Sequence, residues 1–109
     1  MLFPAMLPAQ NDKSIAHAID SIKVIKNDSI RNESLYLFTK EQASEYPGHS
    51  IEVGNILIEE GKRLYKDKYK CYGIRLLGQS YEAMFEYPKA LNYYFNALDI
   101  AQKNNDYSF

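Results

Sequence analysis

The sequence predicts an all-α protein: a lead helix followed by helical hairpins. Three observations carry that prediction. After residue 12, apolar residues recur every three or four positions, the spacing that gives a helix one apolar face, and no stretch sustains the strict alternation of a strand. Short clusters of Pro, Gly, Asn and Asp punctuate the chain, and helices joined by short loops run antiparallel. Small and apolar residues of the third helical segment reappear forty positions later in the fifth: Ser50 falls on Ala90, Leu57 on Ala97 and Gly61 on Ala101.

The elements follow in order. Residues 1–12 open with MLFPAMLPAQ, apolar with two prolines, too short to span a membrane and without the basic start of a full export signal. They read as flexible or as the remnant of such a signal. The lead helix occupies 13–28, with Ile15, Ala18, Ile22 and Ile25 on one face until Asn27-Asp28-Ser29 interrupts it. A second helix runs from about Ile30 to Glu45 around Leu35, Leu37 and Phe38, and Tyr46-Pro47-Gly48 reads as its stop. The third opens at His49 or Ser50 and repeats Val53, Leu57, Ile58, Gly61 and Leu64 along one side. The fourth spans about Tyr69 to Phe85. Pro88 lies just inside the fifth, where its missing N–H is harmless. The second and third helices form a degenerate hairpin over 29–67, the fourth and fifth a stronger one over 68–106, and 107–109 is a tail with Tyr107 and Phe109.

Gly78 asks for a packing reason, because glycine inside a helix costs about 1 kcal/mol relative to alanine. Together with Ala90 and Ala97 it lets the fourth and fifth helix axes approach. Leu77, Tyr81, Tyr87 and Tyr94 then fill the layer around that contact.

Composition narrows the function classes. The 109 residues are 46% hydrophobic and 25% charged with a formal net charge of -1, which argues against general affinity for nucleic acid or anionic membrane. Ten tyrosines and no tryptophan suit thin helical layers or a binding surface, because a tyrosine ring packs while its hydroxyl stays wet. Cys71 is the only cysteine, so no intrachain disulfide and no thiolate metal cluster is expected. His17 and His49 sit in no motif, and His49 with Cys71 lacks an orienting third residue. Glu59-Glu60, Glu82 and Glu86 build no cleft of the kind paired carboxylates need. No enzyme, cofactor or metal is expected. The cations Lys62, Arg63, Lys66, Lys68 and Lys70 cluster at the end of the third helix, where positive charge complements the dipole and Glu59 and Glu60 supply partners. A solvated face is the ordinary reading, a small regulatory nucleic-acid binder the minor one.

Leu77-Gly78, Tyr81, Tyr87, Ala90, Tyr94 and Ala97-Leu98 resemble the tetratricopeptide signature over residues 71–104. The forty-residue spacing is similar to the longer variant found in bacterial sensor proteins of histidine-kinase or transcription-regulator type. Residues 19–67, with Ile19-Asp20-Ser21-Ile22 and Tyr46-Pro47-Gly48, resemble the region preceding the repeats in those sensors. Ser50, Gly54 and Leu57 depart from the pattern, standing where stronger repeats have Ala, an aromatic and Ala. The sequence carries no kinase, cyclase or DNA-binding segment, so none of those activities is assigned.

The resemblance implies a non-catalytic sensor or interaction module that presents the first helix of its best hairpin to a groove. The groove positions are Tyr72, Arg75, Gln79, Glu82 and Ala83, and their spacing of three and four independently places most of them on one helix face. Arg75 can pair with a peptide carboxylate through its planar fork, and Gln79 can bind peptide backbone. The expected partner is a protein or peptide. The alternative is a structural self-association fragment: Tyr93 and Phe95 point away from the Ala90–Tyr94–Ala97 side and are the expected surface of a homodimer. The compartment is periplasmic if the N-terminus is an export remnant and cytoplasmic otherwise.

Overall fold

A computed structural model describes residues 11–104; the expected N-terminal segment and the tail aromatics Tyr107 and Phe109 lie outside the described residues, apart from Asn11 and Asp12. Within them are five helices and no strand: α1 (Asp12–Lys23), α2 (Asp28–Gln42), α3 (Pro47–Leu64), α4 (Asp67–Ala83) and α5 (Tyr87–Lys103).

Local chemistry sets each start. Asn11 caps α1, its side chain accepting from the Ser14 amide at 2.8 Å while Ser14 Oγ accepts from the Asn11 amide at 3.1 Å. This reciprocal arrangement satisfies two amides that the first turn leaves without partners. Asn27 caps α2 through the Ile30 amide at 2.8 Å. The Asn27-Asp28 cluster is therefore the start signal of α2, two residues earlier than the apolar pattern suggests. Pro47-Gly48 also belongs to a helix start. Pro47 is the first residue of α3, because a helix's leading N–H has no intrahelical acceptor to lose. The same Tyr-Pro pair opens α5 at Tyr87-Pro88.

The core gathers Ile15 and Ile19 of α1, Leu35 and Tyr36 of α2, Val53 and Leu57 of α3, and Tyr69, Tyr72 and Leu76 of α4. Leu37, expected in the core, is exposed; Asn32, Tyr36 and Thr39 take the inward face of α2 with Leu35. Tyr87 is likewise exposed and does not fill the α4–α5 layer.

The most closely packed pair is α3 with α4, rather than α2 with α3. Gly54 and Gly73 meet backbone to backbone. A Cβ on Gly54 would lie 2.9 Å from the Gly73 carbonyl, and one on Gly73 would run into the Gly54 carbonyl. Farther along, a Cβ on Gly61 would stand 2.7 Å from the Lys70 amide nitrogen. Ser50 Oγ donates to the Leu76 carbonyl at 3.3 Å. On the other side of α4, Gly78 makes room for Tyr94: a Cβ there would be 2.6 Å from Tyr94 Cε1. Cys71 Sγ reaches the Ala97 carbonyl at 3.5 Å, and Ala90, Ala97 and Ala101 are buried. The small residues that recur at forty-residue spacing thus serve one helix from two sides, and α4 runs through the middle. Consecutive helices from α2 onward are antiparallel, while α2 and α4 run parallel, with Tyr36 stacked on Tyr72 at a centroid distance of 4.0 Å and an interplanar angle of 0°.

Candidate functional site

With 100° per residue, α4 presents three sides. Gly73 and Leu77 meet α3. Cys71, Gly78 and Tyr81 meet α5. The third side, carrying Lys68, Tyr72, Arg75 and Gln79, turns toward α2.

All five expected groove residues lie on or beside this third side, and they divide by what they already touch. Tyr72 is 6% exposed and is committed to the fold. Its ring stacks on Tyr36, and its hydroxyl donates to Glu33 Oε1 at 2.9 Å. Burial first, and the Glu33 carboxylate second, push the phenol up to about 12. Glu33 Oε2 in turn holds Lys68 Nζ at 2.8 Å. Glu82 is exposed and accepts from the Tyr94 hydroxyl at 2.7 Å, and Ala83 is half-buried. Burial and that hydrogen bond raise the Tyr94 phenol well above its ordinary range.

Arg75 and Gln79 are different. The half-buried Arg75 makes no ion pair with a carboxylate among the described residues. Its guanidinium carbon sits 6.0 Å from the centre of the Tyr36 ring, a cation–π distance. It is also close enough to Tyr94 for its charge to offset part of the rise in that phenol. One turn on, the buried Gln79 Oε1 accepts no hydrogen bond. A buried acceptor left without a donor costs about 1–3 kcal/mol. Lys40 Nζ lies 5.5 Å from the centre of the same Tyr36 ring. Tyr36 and Tyr72 are themselves buried, so what the patch presents is the half-buried Arg75 guanidinium without an ion-pair partner among the described residues, an arrangement suited to a carboxylate.

Sequence reasoning did not pick out Tyr36 and Lys40. A tyrosine followed one turn later by a cation, Tyr36 to Lys40 on α2 and Tyr72 to Arg75 on α4, was the available signal. Of the two expected self-association residues, Phe95 is 63% exposed, whereas Tyr93 is half-buried and stacks on Tyr81 at 5.6 Å and 11°.

The basic cluster is largely neutralised. Lys62 pairs with Glu59 at 3.1 Å, Lys70 with Asp67 at 3.5 Å, and Lys68 with Glu33. Arg63 holds Glu60 at 2.8 Å and Asp28 at 2.9 Å. Glu60 also binds Arg31 and accepts from Asn32 at 3.2 Å, so the Arg63 contact leads several that hold its carboxyl down to about 2. These ions tie α2 to α3. A shallow pocket of about 240 Å³ beside the α3–α4 turn, lined by Lys62, Tyr65, Lys70 and Asn104 among others, uses the same paired lysines. Cys71 points at α5, and His49 contacts Asp12 at 2.8 Å. Among the described residues no group of three or more His, Cys, Asp or Glu stands ready to hold a metal, and no helix is long and apolar enough to cross a membrane. No family model, curated protein or solved structure matches this chain.

Proposed function

We propose that this protein is a non-catalytic interaction module of tetratricopeptide-like hairpins that binds a partner peptide or protein segment along the α2–α4 face. One observation carries the reading: Arg75 holds a half-buried positive charge over the Tyr36 ring, with no carboxylate among the described residues to neutralise it. A partner carboxylate supplies the missing charge through the planar fork, and the half-buried Gln79 offers its amide N–H groups to peptide backbone. The parallel placement of α2 and α4 supports the hairpin reading, as it is the relation of first helices in successive hairpins. The test is selection from a displayed random-peptide library, followed by titration of a selected peptide. Arg75→Ala should weaken binding at least ten-fold and Gln79→Ala several-fold. Selected peptides that bind both variants as tightly as the parent chain would overturn the assignment.

A second reading, self-association, is favoured by a separate observation: the outer face of α5 is apolar and no other described helix covers it. Phe95 is 63%, Leu91 52% and Leu98 46% exposed.

A further inference from the structure

We infer that the occupant of the α5 face is a second copy of this chain, with two α5 helices packed antiparallel about a two-fold axis beside Phe95. The inference rests on the self-association reading above and adds which residues meet.

The exposed stripe runs Tyr87, Leu91, Phe95, Leu98 and Gln102 along one side of α5, with Tyr94 at its edge. Those positions recur at intervals of three and four, so they form a continuous surface about 22 Å long at 1.5 Å per residue. None carries a charge, so two copies meet without like-charge repulsion. Phe85, 77% exposed, extends the apolar surface at its N-terminal end, its ring edge-on to Tyr87 at 6.2 Å.

An interface between identical copies must be self-complementary, and the stripe meets that condition in one orientation. The spacing is symmetric about a point between Tyr94 and Phe95. Turning a second α5 end for end sets Leu91 against Leu98, Tyr87 against Gln102, and Phe95 against Tyr94 and Phe95. The leucines pack on leucines, and the tyrosine hydroxyl meets an amide. Charge at the ends selects the same orientation. Glu86 precedes the helix and Lys103, paired with Asp99 of its own helix at 3.2 Å, closes it, so an antiparallel pair brings opposite charges level and a parallel pair brings like charges level. The helix dipoles favour the antiparallel choice too.

A single helix face about 22 Å long is smaller than the roughly 800 Å² per partner of a standard interface, so the expected dimer is a weak one.

Sedimentation equilibrium of the full chain up to about 500 μM, roughly −4.5 kcal/mol on the binding scale, and oxidative cross-linking of single-cysteine additions test this together. The parent chain, whose Cys71 is buried, is the uncrosslinked control. The expected result is a dimer that Phe95→Glu weakens at least ten-fold. Phe95→Cys should link to itself. Leu91→Cys should link to Leu98→Cys in mixtures, with neither linking to itself. A dimer in which Leu91→Cys and Leu98→Cys each self-link, or which Phe95→Glu leaves intact, overturns the antiparallel arrangement and leaves self-association standing. A monomer throughout the range overturns both. If Phe95→Glu loses its helical circular dichroism, the cross-linking pattern decides.

Discussion

Helices α3 and α5 both lie against α4, and both do so with small residues, yet the two contacts are built differently. Against α3, the approach is backbone to backbone: Gly54 and Gly73 face each other, and Gly61 abuts the Lys70 amide. Against α5, the room made by Gly78 is filled by a tyrosine ring. The outer sides differ as well. Helix α3 is tied to α2 through Glu60, Arg63 and Asp28, whereas α5 leaves Leu91, Phe95 and Leu98 in solvent. The same small-residue pattern therefore produces a rigid interior seam in one place and a more adaptable outer seam in the other.

The largest effect is expected at Gly73. Gly73→Ala gains about 1 kcal/mol of helix propensity, but its methyl meets the Gly54 carbonyl and, at 2.9 Å, the Ile58 amide nitrogen. Backbone atoms cannot rotate away, so the overpacking cost falls at about 3 kcal/mol and the net loss is about 2 kcal/mol. Urea unfolding reads it as a lowered midpoint; a midpoint at or above the parent's contradicts the rigid seam. Gly78→Ala is the matched substitution on the other side. Its methyl meets only the Tyr94 ring, which can swing aside, so the net loss stays below about 1 kcal/mol. A larger loss at Gly78 than at Gly73 would reverse the ranking.

The third effect concerns the ions that fasten α3 to α2; among the described residues no ion pair joins α5 to another helix. The Glu60 carboxyl is held at about 2 against an ordinary 4.5, chiefly by Arg63. A depressed carboxyl pKa means the unfolded chain binds the extra proton first. Its contribution is therefore complete above pH 4.5 and fades as pH falls from 4.5 toward 2. The amount is about 1 kcal/mol once solvent screening at the network's exposed rim is allowed for. Urea midpoints of the parent chain and Glu60→Gln, followed across that window, should converge toward the acid end; parallel curves would show that Glu60 contributes nothing there.

The helices were legible in the sequence because each has one apolar face, and a three-to-four residue period reports one face well. Their starts were less legible. Asn27 and Pro47 read as breaks although both open helices, since capping residues and N-terminal prolines are breakers only from inside a helix. The pairing of helices was harder still. Helix α4 is packed on three sides, so its periodicity cannot say which neighbour takes which side, and the Gly54–Gly73 contact appears only when both helices are in place. Gly78 was legible because a helical glycine without a turn to make implies a close neighbour. At the candidate site, Arg75 and Gln79 could be placed on one face from spacing alone. The Tyr36 wall could not, because its stacking on Tyr72 joins positions far apart in the chain.

The central claim is that ligand binding belongs to the α2–α4 face and self-association to α5. A titration of the isotopically labelled chain with a library-selected peptide, followed by amide NMR shifts at low protein concentration, tests it most directly. The perturbed amides should cluster around Tyr36, Lys40, Arg75 and Gln79, and Arg75→Ala should abolish the perturbation. Shifts confined to Leu91–Leu98, with the Arg75 region unmoved, would contradict it.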